Sequence, residues 1–313
     1  MPSKENIQNP DIFVCLQDLL KMEHFAKGFS FLARKQRVKS ILGGKHASKL
    51  RGRGLDFEEV RNYVAGDDIR HIDWKVTART QKTHSRVFSE EKEKPALIVV
   101  DQSKSMFFGS QKRMKSVVAA ELAALSAYRV LKEGDRVGGI VFADNGIDIL
   151  YPKRDRRNIL RFLEKIVARN KELKDSKAVK YSENLRETLR RIQNIVTHDF
   201  LVIIISDFMR YSPEVIKFIA GLARRNDVVL AKIYDPMEEN IMHDKFVAGS
   251  EDSQVFVEGD SSKIKEKFKN GFNSDLSSFE TEMKKHKVSL LTLNTVEDVD
   301  KQIKELLSTM NVR

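Results

Sequence analysis

The sequence predicts an α/β protein, a doubly wound and mostly parallel sheet of Rossmann type carrying a smaller N-terminal subdomain. Two observations predict it. Five short runs rich in Val and Ile (Ala96–Val100, Val137–Phe142, Leu201–Ile205, Val228–Tyr234 and Val288–Leu293) are nearly continuously apolar rather than alternating. Strands covered on both faces have that composition. The segments between them carry helical spacing, and strand–helix alternation over residues 94–313 places helices on both faces of a parallel sheet.

Residues 1–93 are expected to form the appended subdomain. Asp11–Lys35 reads as a helix with Ile12, Leu16, Leu19, Leu20 and Phe31 on its apolar side, interrupted at Gly28. A basic, glycine-punctuated stretch follows, and Asp56–Phe88 shows no clean period. In the larger domain, Lys112–Leu131 carries Met114, Val117, Val118, Leu122 and Leu125 at helical spacing, with alanine-rich turns that permit close approach to a sheet. Gly134 stands where a helix C-terminal glycine belongs. Asn158–Val167, Glu183–Val196, Pro213–Arg225, Ser262–Lys284 and Val296–Thr309 read as further helices. Ser212 and Pro213 supply an N-cap and a first-turn proline.

Composition bounds the function. The chain has 313 residues, 41% hydrophobic and 32% charged, which is globular. Its longest aliphatic runs, Leu97–Val100 and Leu201–Ile205, fall far short of the ~20 apolar residues of a membrane span. A single cysteine, Cys15, excludes an intramolecular disulfide and a cysteine-based zinc cluster. The N-terminus, MPSKENIQNPDIF, shows no basic region followed by an apolar stretch, so a cytoplasmic protein is expected. The net charge of +11 favours acidic partners, nucleic acid or an anionic membrane face, and eight basic residues with no acidic one lie between Arg34 and Gly54, Arg51 and Arg53 among them. The second basic stretch, Lys153–Arg191, mixes acids with bases as a solvated helix face does.

Ligands of open parallel sheets bind at the carboxyl ends of strands. The first core strand ends in Asp101-Gln102-Ser103-Lys104-Ser105, where alternation lets Asp101, Ser103 and Ser105 converge on one point. A later strand ends in Ser206-Asp207, a second carboxylate on the same edge. Oxygen-only ligands suit a hard cation, Mg²⁺ or Mn²⁺. A plain strand-to-helix turn with capping serines is the competing reading of the same residues.

Asp-x-Ser-x-Ser after an apolar strand, with a later strand ending in Ser-Asp, resembles the metal-ion-dependent adhesion site of von Willebrand factor A domains. Upstream, Arg51-Gly52-Arg53-Gly54-Leu55-Asp56-Phe57, Arg61-Asn62-Tyr63, the run from Gly66-Asp67-Asp68 through Arg70 to Asp73-Trp74, and Ala78-Arg79 resemble a narrower group. That group is domain-of-unknown-function family 58, bacterial von Willebrand A-like proteins encoded beside MoxR-type AAA+ ATPases. The resemblance spans roughly residues 40–240. It implies a metal held by Asp101, Ser103, Ser105 and Asp207. It also implies a threonine from a separate loop, where this chain offers Ser182; that serine is equally placed to cap the following helix.

Such a site binds rather than catalyses, because an open coordination position is filled by a partner's carboxylate. The resemblance thus implies a non-enzymatic adaptor or co-chaperone of a MoxR-type AAA+ ATPase, acting on client proteins in maturation, metal insertion or stress tolerance. Arg51, Arg53, Asp67, Asp68, Arg70, Asp73 and Trp74 are the candidate partner-binding residues. Read locally, Gly66-Asp67-Asp68 is a turn whose carboxylates cap backbone N–H groups, with Arg70 and Arg79 as ion-pair candidates, and Trp74 is a subdomain anchor. Asp235-Pro236 reads as a turn, and His46, His71 and His84 have no metal spacing.

Two other functions compete. A haloacid-dehalogenase-like Mg²⁺-dependent phosphatase would use Asp101 as nucleophile, but position 103 is serine where a general acid–base carboxylate is needed. Nucleic-acid binding would use the basic Arg34–Arg53 stretch, which lacks interleaved aromatics. The sequence contains no Gly-x₄-Gly-Lys-Ser/Thr loop, no Gly-x-Ser-x-Gly elbow and no His-Glu-x-x-His.

Overall fold

The computed structural model describes residues 9–27, 55–90, 94–175, 181–208, 212–240, 245–249, 254–258 and 262–310. In chain order these hold α1 (Leu16–Phe25), β1 (Leu55–Asn62), α2 (Trp74–Thr80), β2 (His84–Glu90), β3 (Ala96–Asp101) and α3 (Lys115–Lys132). There follow β4 (Val137–Ala143), β5 (Gly146–Lys153), α4 (Arg156–Glu172), α5 (Tyr181–Ile195), β6 (Leu201–Ser206), α6 (Pro213–Ala223) and β7 (Asp227–Tyr234). The last elements are α7 (Pro236–Glu239), β8 (Lys245–Gly249), β9 (Gln254–Glu258), α8 (Ser262–Lys285), β10 (Ser289–Asn294) and α9 (Val299–Met310).

The chain divides into two compact units, Lys35–Glu93 and the remainder. The break after residue 93 falls where the sequence places it, but residues 1–34 belong to the larger unit, which corrects the expected extent of the appended subdomain. Helix α1 packs on α3, with Val14, Leu19 and Ala26 in the same buried cluster as Val117, Val118 and Leu122, so the N-terminal helix belongs to the α/β unit. The helix is also shorter than Asp11–Lys35, starting at Leu16.

The α/β unit is built on a six-stranded sheet of order β10-β7-β6-β3-β4-β5. All five strands expected from sequence are present and pair in parallel. The sixth, β5, is antiparallel to β4. Counting the six strands in chain order, the sequence across the sheet is 6-5-4-1-2-3, so the order reverses between β3 and β6. Alternate residues of β3 serve opposite cores. Ala96, Ile98 and Val100 belong to the buried cluster that includes α1, α3, α4 and α9, while Leu97 and Val99 belong to the one that includes α5, α6 and α8. Every residue of β3, β4 and β6 is buried, as continuous apolar runs require. Gly139 of β4 lets the Phe162 ring of α4 lie directly on the sheet, where a Cβ would stand 2.3 Å from ring carbons. Gly134, at φ +89°, follows α3 as expected. No helix among the described residues is long and apolar enough to cross a membrane.

In the smaller unit, β1 and β2 form an antiparallel ribbon with a register shift between Phe57 and Glu59. The chain between them turns at Gly66, whose φ of +108° suits glycine, and then forms the short helix α2. Asp73 caps α2, accepting from the N–H groups of Lys75 (3.0 Å) and Val76 (3.1 Å), and its other oxygen takes Arg86 Nε at 2.8 Å.

Candidate metal centre

The centre sits where the strand order reverses. Val100 of β3 and Ile205 of β6 are register partners, so Asp101 and Ser206 end neighbouring strands side by side. Asp101 is wholly buried. Its Oδ1 accepts from the Ser103 backbone N–H at 2.9 Å, and its Oδ2 accepts from Ser206 Oγ at 2.7 Å. Burial first, and the charge of Asp207 second, push the Asp101 carboxyl up to about 7.

Ser103 precedes a 3₁₀ turn, Lys104–Met106, in the N-cap position, but its side chain makes no capping bond. Its hydroxyl instead lies 3.2 Å from Ser105 Oγ. Capping therefore does not account for Ser103. The separation is close to the edge of about 3 Å between neighbouring ligands of an octahedral cation with oxygens at about 2.1 Å.

Asp207 is also buried, and its surroundings include groups the sequence reading did not single out. Lys115 Nζ stands 2.9 Å from Asp207 Oδ2 and 2.6 Å from Glu238 Oε1. Lys232 Nζ donates to the Asp207 carbonyl oxygen at 2.7 Å. A signal was available for one of them: Lys232 is a charged residue inside the otherwise apolar run Val228–Ile233, where it must find a partner. Lys115 had no such signal, since a lysine at the start of a helix is ordinary.

Two more buried aspartates complete a row along the carboxyl edge. Asp144, after β4, accepts from the Lys104 N–H at 2.6 Å. Asp235, after β7, accepts from Ser110 Oγ, from Ser110 N–H at 2.9 Å and from Thr295 Oγ1 at 2.6 Å, and caps α7 through the Met237 N–H at 2.9 Å. These bonds hold its carboxyl below the usual range against the opposing effect of burial, and the turn read at Asp235-Pro236 is present as a capping box.

Among the described residues no group of three or more His, Cys, Asp or Glu side chains is arranged to hold a metal. A cation at Asp101 would therefore draw on hydroxyls and water, the habit of Mg²⁺. The donor set fits that ion: a buried carboxylate, a convergent hydroxyl pair and a second carboxylate whose charge disfavours the first. Ser182 lies in the first turn of α5, with its side chain outside the described residues.

The candidate partner-binding residues fall elsewhere. Arg51 and Arg53, with the rest of the basic stretch from Arg34, lie outside the described residues. Asp67 accepts from the Val64 N–H at 3.0 Å and pairs with Arg61 Nη2 at 2.7 Å. Asp68 accepts from the Arg70 N–H at 3.0 Å and pairs with Arg70 Nη2 at 2.7 Å. The expected turn and the Arg70 pair are thus present, while Arg61 takes the place expected of Arg79. Trp74 is 69% exposed, which corrects its reading as an anchor. It follows the Asp73 cap, at the first position of α2.

The chain is 29% identical over 211 residues to the uncharacterized proteins Rv1480 of Mycobacterium tuberculosis and Mb1516 of Mycobacterium bovis, covering 66% of this chain. It spans 63% of the length of those relatives. Among solved structures it is similar to the conserved hypothetical protein BatB from Bacteroides thetaiotaomicron, at 17% identity and a TM-score of 0.40, covering 70% of this chain and 98% of that one. It is also similar to an aerotolerance-related membrane protein from Bacteroides fragilis, at 15% identity and a TM-score of 0.40, covering 68% of this chain and 96% of that one. The model of the family described as "Protein of unknown function DUF58" matches residues 59–275, well over half of the sequence, and the chain belongs to that family.

Proposed function

We propose that the α/β unit is a von Willebrand factor A-type domain and that the protein is a metal-dependent, non-enzymatic binding module. In this reading it serves a MoxR-type AAA+ ATPase in the cytoplasm as adaptor or co-chaperone for client proteins. The observation that carries the reading is the state of Asp101. Lys115 pairs with the Asp207 carboxylate, and hydroxyl and backbone donors hold Asp235 below the usual range. Asp101 is fully buried, is pushed up to about 7, and stands beside two serine hydroxyls 3.2 Å apart.

Further support comes from the topology. An order of 3-2-1-4-5-6 with the third strand antiparallel puts Asp-x-Ser-x-Ser and Ser-Asp on adjacent strand ends at the reversal point. When bound, Mg²⁺ or Mn²⁺ supplies an open coordination position for a partner's carboxylate. The chain's own part is to orient that position. Ser206 and the Ser103 N–H hold the Asp101 carboxylate in place, and the 3₁₀ turn presents both serine hydroxyls. The exposed apolar side chains Val64, Ile69 and Trp74 are a second contact for the ATPase, and Arg51 and Arg53 meet an acidic face of it.

The test is capture of the MoxR-type ATPase by wild type and Asp101→Ala, each in Mg²⁺ and in chelator. Retention by wild type in Mg²⁺ alone supports the reading, and equal retention in all four conditions refutes its metal dependence. Aryl phosphate turnover lost in Asp101→Ala would favour the phosphatase instead.

A further inference from the structure

The second carboxylate of the centre already has a cation. Lys115 is only 2% exposed, and its ammonium is held between Asp207 Oδ2 at 2.9 Å and Glu238 Oε1 at 2.6 Å, with the Phe108 ring centroid 5.9 Å away. Glu238 is itself fixed, because its Oε2 accepts from the Asp235 N–H at 3.1 Å in the capping box of α7. The ammonium is therefore tethered at both ends: by its own helix, and by two carboxylates anchored to the carboxyl ends of β6 and β7.

We propose that Lys115 is a built-in competitor for the metal. It holds the Asp207 carboxylate, leaves the divalent cation to Asp101, Ser103 and Ser105, and so sets the affinity of the site. This rests on the metal reading of Asp101. The charge logic gives its sign. A divalent ion gains most from a carboxylate with no other counter-ion, and Lys115 withholds one of the two that the site contains. Lys232 serves as an internal comparison, since it is a buried ammonium at the same residue that donates to the Asp207 carbonyl oxygen.

The experiment is calorimetric titration of the metal-stripped full chain with MgCl₂ or MnCl₂ alone. A neighbouring charge at this range changes the affinity for a proton by roughly one to three decades. Lys115→Met is thus expected to tighten Mg²⁺ binding by about tenfold or more. Lys232→Met removes a neighbouring charge but not the ion pair with the carboxylate, so it should tighten binding by clearly less than Lys115→Met does. Glu238→Gln leaves the ammonium to Asp207 alone and should weaken binding. It also carries the test if Lys115→Met does not fold, because unchanged or tighter binding by Glu238→Gln contradicts the proposal. Equal tightening in Lys115→Met and Lys232→Met overturns it, as does no tightening in Lys115→Met. Failure of the metal reading looks different: neither wild type nor Lys115→Met then takes up either ion.

Discussion

Ser206 Oγ donates to Asp101 Oδ2 at 2.7 Å, and this one bond joins the carboxyl ends of β3 and β6 where the strand order reverses. Both residues are buried, so water cannot replace the bond. Ser206→Ala is expected to destabilise the chain in chelator by about 1–3 kcal/mol, the cost of leaving a buried acceptor unpaired. Urea denaturation measures it, and an unchanged midpoint would show that the bond does not hold the centre together.

The pH dependence follows from the same carboxyl. Asp101 holds its proton up to about 7 in the folded chain, against 3.8 as the ordinary value. Between these values the folded state binds the more protons. The contribution of Asp101 to stability is therefore full below the ordinary value and is lost as pH rises through about 7. In chelator, the stability of wild type relative to Asp101→Asn should fall from pH 5 to pH 8. Adding Mg²⁺ should restore more stability at pH 8 than at pH 5, since it binds the deprotonated form. A difference that stays flat with pH contradicts the assignment.

Gly139 and Phe162 make a packing test away from the centre. A Cβ on Gly139 would stand 2.3 Å from the Phe162 ring, so Gly139→Ala forces ring or strand to move and should cost about 1–3 kcal/mol. Adding Phe162→Leu should recover part of that loss in the double variant. Additive losses would mean that the two residues do not share the contact.

Asp73 tests whether the Gly66–Trp74 segment is held by its own bonds. Its carboxylate caps α2 and takes Arg86. Asp73→Ala should cost about 1 kcal/mol locally, seen as faster amide hydrogen exchange over residues 74–80. Exchange at the wild-type rate would assign the residue to something other than helix capping.

Four strands were legible because helices cover both faces of the sheet, which makes the runs in β3, β4, β6 and β7 nearly continuously apolar, and the edge strand β10 was legible through Leu290, Leu291 and Leu293. Strand β5 was not, since Asp148 and Pro152 interrupt the apolar pattern of a partly buried edge strand. Asn145-Gly146 at its start is nevertheless a hairpin signal. The ribbon of β1 and β2 went unread because a two-stranded ribbon buries too little to impose a period. At the centre, Asp101, Ser103, Ser105 and Asp207 could be read because a parallel sheet aligns its strand ends. Lys115 could not, since its partners Asp207 and Glu238 lie 92 and 123 residues away in sequence and only the fold brings them together.

The most direct test of the metal centre is the anomalous signal of Mn²⁺ in crystals of the chain grown or soaked with that ion. The account predicts one peak within about 2.0–2.4 Å of both Ser103 Oγ and Ser105 Oγ, beside Asp101, and its absence in Asp101→Ala crystals. No peak at that position in wild type, or a peak that persists in Asp101→Ala, would contradict it.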